Sequence, residues 1–257
     1  MNTANFISAK DCDYGVKEFT LGSNGEFVSW EEMYKNKSMP MCWAGFYKPQ
    51  WLEICNKHNL TWYNFDSAYF GNQKRKTIFR LTVNGFQNTN NILERPNDRL
   101  EDLDLKLEHF VQGSDIVIVP PDRKKCHTLG LGTPESWVSC LVDKLKTLTD
   151  RQIKIRNRPE PRNERLVSNT FKDFIKDNTY CVIGHSSNAL VEAAMCDIPT
   201  IALGDSATKS LYDYNLEDIE NIKVADADKK QAWLRHLSYC QFTRPELLSG
   251  FAWDVIN

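Results

Sequence analysis

The sequence predicts an α/β fold of two Rossmann-like lobes with a cleft between them. The clearest observation is the stretch Thr179–Leu203, where an apolar run ends at Gly184, a helix-forming segment follows and a second apolar run closes the unit. This order is strand, tight turn, helix, turn and strand, which is one βαβ unit. Short apolar runs also alternate with helical segments on both sides of the polar, Asn-rich stretch 87–98. Such alternation is typical of parallel sheets covered by helices.

The Asn-rich stretch marks the junction of the two lobes, because its composition is that of a loop or linker. We therefore assign residues 1–100 to an N-terminal lobe and residues 101–257 to a C-terminal lobe, and the terminal helices can pack back on the first lobe. A chain of 257 residues is long enough for two small α/β domains.

In the N-terminal lobe, residues 1–36 are expected to be irregular apart from a short helix at Trp30–Tyr34. Pro49 can open the first turn of a helix, and the apolar residues that follow have helical spacing. The further elements predicted here are a helix at Gln50–Lys57 and strands at Pro40–Phe46, Thr61–Phe65 and Lys76–Val83.

In the C-terminal lobe, Ile116–Val119 is an apolar strand, and Thr133-Pro134 has the N-cap and first-turn residues of a helix. The segments Asp122–Gly132 and Gly204–Lys209 are predicted to be loops that follow strands, and both can hold a nucleotide or lie on the surface. The other predicted elements are a strand at Gln152–Arg156, helices at Leu166–Lys176, Lys229–Leu237 and Pro245–Phe251, and a short helix or turn at Asn215–Asn221.

Charge and cysteine usage restrict the function classes. The 32 Lys and Arg residues are balanced by 34 Asp and Glu residues, which does not indicate a general nucleic-acid coat protein. The chain nevertheless has three basic clusters, each of which is either a solvated face or a set of phosphate contacts. They are Lys74-Arg75-Lys76, Arg123-Lys124-Lys125 and Lys154–Arg165. The eight cysteines form no Cys-x-x-Cys pair, so the pattern is not that of a zinc ribbon. The chain has no secretory pattern and no apolar run of about 18 residues, so we expect a cytoplasmic protein without a membrane partner.

The turn Gly184–Asn188 is the strongest candidate for a ligand site. It places small residues and hydroxyls at a helix N-terminus, where backbone N–H groups and the helix dipole favour an anion such as phosphate. Ser186 and Ser187 either cap the helix or contact the ligand, and these two roles use the same geometry. His185 either donates to a phosphate or sugar, or is an ordinary loop histidine. The turn therefore predicts a phosphorylated ligand above the carboxyl ends of a parallel sheet.

These residues resemble the GT-B class of nucleotide-sugar-dependent glycosyltransferases. The resemblance is carried by Gly184-His185-Ser186-Ser187-Asn188, by Glu192-Ala193 and by Ile198-Pro199-Thr200-Ile201. It implies that the turn holds the donor diphosphate and that Glu192 meets the ribose; otherwise Glu192 is a plain helix glutamate. More narrowly, the chain resembles short phage-encoded glycosyltransferase-like proteins over about residues 40–257. The landmarks of this resemblance are Asp66–Gly71, Gly184–Asn188 and a Trp/Gln-rich tail from Ala232 to Trp253.

Further site residues are expected in both lobes. Asp66 ends a strand and is the candidate general base, because the acceptor hydroxyl must lose a proton; alternatively it caps the following turn. Tyr69 can stack on a sugar or base, or belong to the core. Arg156 and Arg158 follow a strand and can neutralise the leaving diphosphate. Asp102-Leu103-Asp104 has metal-motif spacing but lies in an acidic linker, so no metal site is assigned.

The resemblance, together with the missing metal motif, thus implies a metal-independent glycosyltransferase, a hexosyl- or pentosyltransferase, that needs no cofactor besides its nucleotide-sugar donor. The phage-type resemblance implies a hydroxylated or hydroxymethylated pyrimidine base in DNA as acceptor, in the host cell cytoplasm, with Lys74, Arg75 and Lys76 contacting phosphates. One alternative acceptor is a surface polysaccharide or small molecule. The other alternative is a non-catalytic nucleotide- or DNA-binding protein.

Overall fold

The structure is a computed structural model that describes residues 4–10, 12, 15–45, 48–70, 77–88, 91–157 and 170–257. Its contacts divide the chain into two compact units. Unit 1 comprises Met1–Asn88 and Leu237–Asn257, and unit 2 comprises Thr89–His236. The last helices of the chain therefore belong to unit 1. The division into separate domains at residue 100 stays a prediction.

Strands and helices alternate through most of the described residues. The strands are β1 (Ile7–Ala9), β2 (Glu26–Val28), β3 (Met41–Ala44), β4 (Trp62–Ser67), β5 (Ile78–Val83), β6 (Asp115–Val119), β7 (Ile153–Ile155), β8 (Thr179–Gly184), β9 (Thr200–Ala202) and β10 (Gln241–Thr243). The helices are α1 (Val16–Gly22), α2 (Trp30–Lys35), α3 (Pro49–His58), α4 (Asp98–Asp102), α5 (Arg123–Leu129), α6 (Pro134–Leu145), α7 (Phe171–Ile175), α8 (Asn188–Met195), α9 (Ala227–Ser238), α10 (Arg244–Leu248) and α11 (Phe251–Ile256), with a 3₁₀ turn at Leu216–Asn221.

Unit 1 is built on a sheet with the strand order β10-β5-β4-β3-β1-β2. Strands β2, β1, β3 and β4 pair in parallel, β5 is antiparallel to β4, and β10 is antiparallel to β5. Two hydrophobic clusters form its core, one centred on Phe19, Phe65 and Phe242 and the other on Trp43 and Trp51. The pairing of β4 with β5 sets Asp66 opposite Arg80.

Unit 2 is built on a parallel sheet with the order β7-β6-β8-β9. Alternate residues of β6 enter different clusters, because Ile116 and Ile118 pack with Leu141 of α6, whereas Val117 packs with Leu190 of α8. Both faces of the sheet are thus covered, which explains why β6 and β8 have nearly continuous apolar sequences. The predicted α/β class and the predicted βαβ unit are confirmed.

The expectation that residues 1–36 are irregular is wrong, except at α2. This segment contains β1, α1 and β2, which are too short to show a clear apolar period. Helix α1 also begins without a side-chain cap, because its N-cap Gly15 has a φ of 84° in the left-handed region. The usual Ser, Thr, Asp or Asn signal of a helix start is therefore missing.

Two predictions in the later segments also need correction. The predicted loop Asp122–Gly132 contains α5, whose first turn is capped by the Asp122 side chain and whose end is fixed by Gly130 with a φ of 65°. The predicted single helix at Pro245–Phe251 is two helices, α10 and α11, separated by Gly250. The strand β10 was not predicted. Of the predicted helix Leu166–Lys176, the part before residue 170 lies outside the described residues.

Candidate functional site

The turn Gly184–Asn188 joins the end of β8 to the start of α8 in unit 2. Ser187 is the N-cap of α8, and its Oγ accepts a hydrogen bond from the backbone N–H of Ala189 at 3.2 Å. Ser186 is buried, and its Oγ lies 3.1 Å from Nδ1 of His185. The turn therefore combines two hydroxyls and an imidazole with the positive end of the α8 dipole, a combination that favours an anion.

His185 is half-buried and held by the segment that follows β9. Its carbonyl oxygen accepts from the backbone N–H of Gly204 at 2.9 Å. Its ring lies against the Gly204 backbone, so closely that a Cβ at residue 204 would be 2.1 Å from the His185 Cε1. Burial lowers the pKa of His185 from 6.5, and the charges of Lys125 and Lys209 lower it further against the opposing effect of Asp205. These effects favour the neutral imidazole, which carries a single N–H donor.

Lys125 lies at the same turn, because the sheet brings the ends of neighbouring parallel strands together. Val119 at the end of β6 is paired with Gly184 at the end of β8. Helix α5 follows β6, and the Nζ of its Lys125 donates to the carbonyl oxygen of Ser186 at 3.1 Å. The sequence placed Lys125 only in a basic cluster; the Asp122 cap and Gly130 were the signals that would have identified its helix.

An open cavity of about 640 Å³ lies in unit 2 beside the segment that follows β9. It is lined by charged, polar and aliphatic side chains, namely Asn91, Ile92, Asp205, Lys209, Ser210, Asp213 and Lys229. Asp205 directly follows Gly204, whose backbone lies against the His185 ring, so the cavity adjoins the turn. Gly184 of β8 pairs with Ala202 of β9, which places turn and cavity at the carboxyl edge of one sheet. Ligands of open α/β sheets bind at this edge.

Glu192 and Arg156, two further predicted donor residues, also lie in unit 2. Burial raises the pKa of Glu192 on α8, and the nearby charge of Lys172 opposes this effect. The guanidinium of Arg156 lies 5.3 Å from the ring centroid of Phe174, a cation–π contact. Their donor roles stay predictions, and Arg158 lies outside the described residues.

In unit 1, Asp66 lies at the carboxyl end of β4 and is held on both oxygens. Its Oδ2 accepts from Nη2 of Arg80 at 2.8 Å, and its Oδ1 accepts from the backbone N–H of Ser67 at 2.7 Å. The Arg80 side chain is 3% exposed and that of Asp66 is 29% exposed. The carboxylate is therefore both oriented and partly open to solvent, and its role as general base stays a prediction.

Tyr69, the predicted acceptor contact, is buried in unit 1. Its hydroxyl oxygen accepts from the backbone N–H of Asn88 at 2.9 Å, and the Arg80 guanidinium lies 4.9 Å from its ring centroid. These contacts belong to the same polar network as Asp66. The other predicted acceptor contacts, Lys74, Arg75 and Lys76, lie outside the described residues.

The described residues contain neither a metal-binding cluster nor a membrane-spanning helix. Among them, no three His, Cys, Asp or Glu side chains are grouped closely enough to hold a metal ion. Asp102 ends α4, and the exposed Asp104 pairs with Lys106. No helix in the described ranges is long and apolar enough to cross a membrane.

Comparison with known proteins identifies a related fold. No protein-family model and no curated protein matches this sequence. The solved structure of Thermosulfurimonas dismutans KpsC, beta Kdo 2,7 transferase, is similar with a TM-score of 0.52 and 10% sequence identity, over 96% of this chain and 98% of that chain. At this identity the likeness shows the fold, which is the predicted GT-B-like α/β fold. The comparison does not support the narrower resemblance to phage-encoded DNA-modifying proteins.

Proposed function

We propose that this protein is a glycosyltransferase that transfers a sugar from a nucleotide-sugar to an acceptor hydroxyl. The observation that carries the proposal is the turn Gly184–Asn188, where hydroxyls, a neutral imidazole and a lysine surround a helix N-terminus at the carboxyl edge of a parallel sheet. The fold similarity to a sugar transferase supports it. The proposal extends to catalysis without a metal, because the helix dipole and basic side chains offer an alternative way to neutralise the leaving group.

The donor phosphates would lie against Ser186, Ser187 and the first N–H groups of α8. In this arrangement Glu192 reaches the ribose, and Arg156 and Arg158 add positive charge. During transfer the acceptor oxygen forms a bond to the anomeric carbon while the bond to the departing phosphate oxygen breaks. A carboxylate then takes the acceptor proton, and we assign this step to Asp66. Its pairing with Arg80 supports the assignment, since the pair fixes the orientation of the carboxylate.

Two acceptor classes are compatible with this donor site. The first is a hydroxylated or hydroxymethylated pyrimidine of DNA, which the basic sequence Lys74-Arg75-Lys76 supports because phosphate contacts need one positive surface. Such a base would have to be flipped out of a duplex to react. The second is a glycan, which the similarity to a Kdo transferase supports. A non-catalytic nucleotide-binding protein is the remaining alternative.

The test is incubation of the full chain with a panel of nucleotide-sugars and each acceptor class, followed by mass analysis of the products. Hydroxymethylated DNA is digested to nucleosides before analysis, and oligosaccharide acceptors are analysed intact. A sugar-sized mass increase on either acceptor supports transfer and identifies the acceptor class. Donor binding and slow donor hydrolysis without an acceptor would contradict the non-catalytic alternative. If no donor is bound or consumed, the proposed function is wrong.

A further inference from the structure

We propose that Lys125, at the turn Gly184–Asn188, and Lys209, at the cavity beside it, form a lysine clamp on the donor phosphates. This inference rests on the proposed function, because it specifies which charges neutralise the leaving group. It adds two lysines to Arg156 and Arg158, to which the sequence-based expectation gave that role.

The first part of the evidence is the fixed position of Lys125. Its Nζ lies 3.1 Å from the Ser186 carbonyl oxygen, inside the turn that precedes α8. Its neighbour Arg123 points elsewhere, since its guanidinium is 3.9 Å from the Glu135 carboxylate and its side chain is 86% exposed. Of these two basic residues, Lys125 is therefore the one that contributes charge at the turn.

The second part is the position of Lys209 at the edge of the cavity. Lys209 is half-buried and lines the cavity together with Asp205. Both Lys125 and Lys209 act electrostatically on His185. Asp205 follows Gly204, whose backbone lies against the His185 ring, so the segment that carries Lys209 borders the turn that Lys125 contacts. Asp205 offsets part of the positive charge at His185, and a phosphate anion at this edge of the sheet would be attracted by both lysines.

The chemical consequence concerns the departing group. When the bond between the anomeric carbon and the phosphate oxygen breaks, its electron pair stays on that oxygen, and the negative charge of the phosphoryl group increases. Fixed ammonium groups then bind the departing phosphate more strongly than the donor, which accelerates transfer.

The experiment measures the affinity of the full chain for inorganic pyrophosphate and for a phosphate-free nucleoside by calorimetry. Lys125→Gln removes the charge but keeps a donor for the Ser186 carbonyl, Lys125→Arg keeps the charge, and Lys209→Ala removes the second ammonium. Lys124→Ala is the matched control, because Lys124 is an exposed lysine on the same helix. Thermal unfolding verifies that each variant is folded.

We expect Lys125→Gln and Lys209→Ala each to weaken pyrophosphate binding at least tenfold, while Lys125→Arg restores most of it and Lys124→Ala has no effect. Nucleoside affinity should stay unchanged in every variant. If folded Lys125→Gln and Lys209→Ala bind pyrophosphate within twofold of the wild type, or if the wild type binds no pyrophosphate, the clamp is refuted.

The clamp and the proposed function can fail separately. A wild-type protein that transfers sugar while both lysine variants keep pyrophosphate affinity would refute the clamp alone. A protein whose pyrophosphate binding depends on both lysines, but which consumes no nucleotide-sugar, would keep the anion site and refute the transferase.

Discussion

The contact between His185 and Gly204 allows a direct test of how the turn is held. A Cβ at residue 204 would lie 2.1, 2.4 and 2.7 Å from Cε1, Nδ1 and Nε2 of the His185 ring. Non-bonded carbons rest at about 3.5 Å, so Gly204→Ala must displace the ring by roughly 1.4 Å. Gly204 does not have a left-handed φ, and the substitution therefore acts through this steric contact.

The displacement has two expected effects. Overpacking of this kind costs about 1–3 kcal/mol of unfolding free energy. It also moves Nδ1 away from the Ser186 Oγ, which is now at 3.1 Å, and so perturbs the proposed phosphate site. We expect Gly204→Ala to weaken binding of the nucleotide-sugar at least tenfold.

A double-mutant cycle isolates the contact. Urea unfolding and donor calorimetry are measured for Gly204→Ala, His185→Ala and the double variant. Since the three nearest atoms all belong to the His185 ring, the methyl group should cost at least about 1 kcal/mol less once the ring is gone. Gly85→Ala is the control, because a Cβ there meets its nearest atom, the Gln87 carbonyl oxygen, at an ordinary 3.4 Å. Equal costs of Gly204→Ala in both backgrounds would refute the reasoning.

Four further predictions concern the two units. The double change Ser186→Ala, Ser187→Ala should weaken donor binding at least tenfold, since each charge-assisted contact contributes about 1.5–3 kcal/mol; unchanged affinity by calorimetry would contradict it. Asp66→Asn should lower kcat about 100- to 10,000-fold at unchanged donor affinity, and retained turnover would assign the base elsewhere. Burial and the charge of Arg95 lower the pKa of His236 from 6.5 to about 4. Between these two pH values the unfolded chain therefore binds a proton at His236 that the folded protein does not bind. The free energy of unfolding is therefore unaffected by this histidine above pH 6.5 and decreases by about 3 kcal/mol as pH falls towards 4. His236→Gln should flatten this decrease in urea titrations. Activity should survive EDTA, and a loss restored by manganese or magnesium would contradict metal independence.

The sequence predicted the parts of the fold that have a strong local signal. The unit β8-α8-β9 was predicted because both strands are buried and, after an initial threonine, consist of apolar or small residues. Helix α6 was predicted from its Thr133 cap and Pro134. By contrast, β1 and β2 have three residues each and were missed, because so short a run shows no period.

The sequence alone could not predict the parts of the site that depend on pairing between distant residues. Lys125 and Ser186 are separated by 61 positions and meet only because β6 and β8 are neighbours in the sheet. Strand order is a tertiary property, and no local pattern around Lys125 indicates it. The same reason applies to Asp66, whose partner Arg80 is fixed by the antiparallel register of β4 and β5.

The most direct test of the central claim is quantitative mass analysis of the nucleotide released from each member of a nucleotide-sugar panel, with acceptor present. The account predicts that the wild type releases nucleotide from at least one donor, with an equal amount of glycosylated product. The Ser186→Ala, Ser187→Ala variant should do so at least tenfold more slowly at low donor concentration. Absence of any donor turnover by a folded wild-type protein, with every acceptor class tested, would contradict the assignment of this chain as a glycosyltransferase.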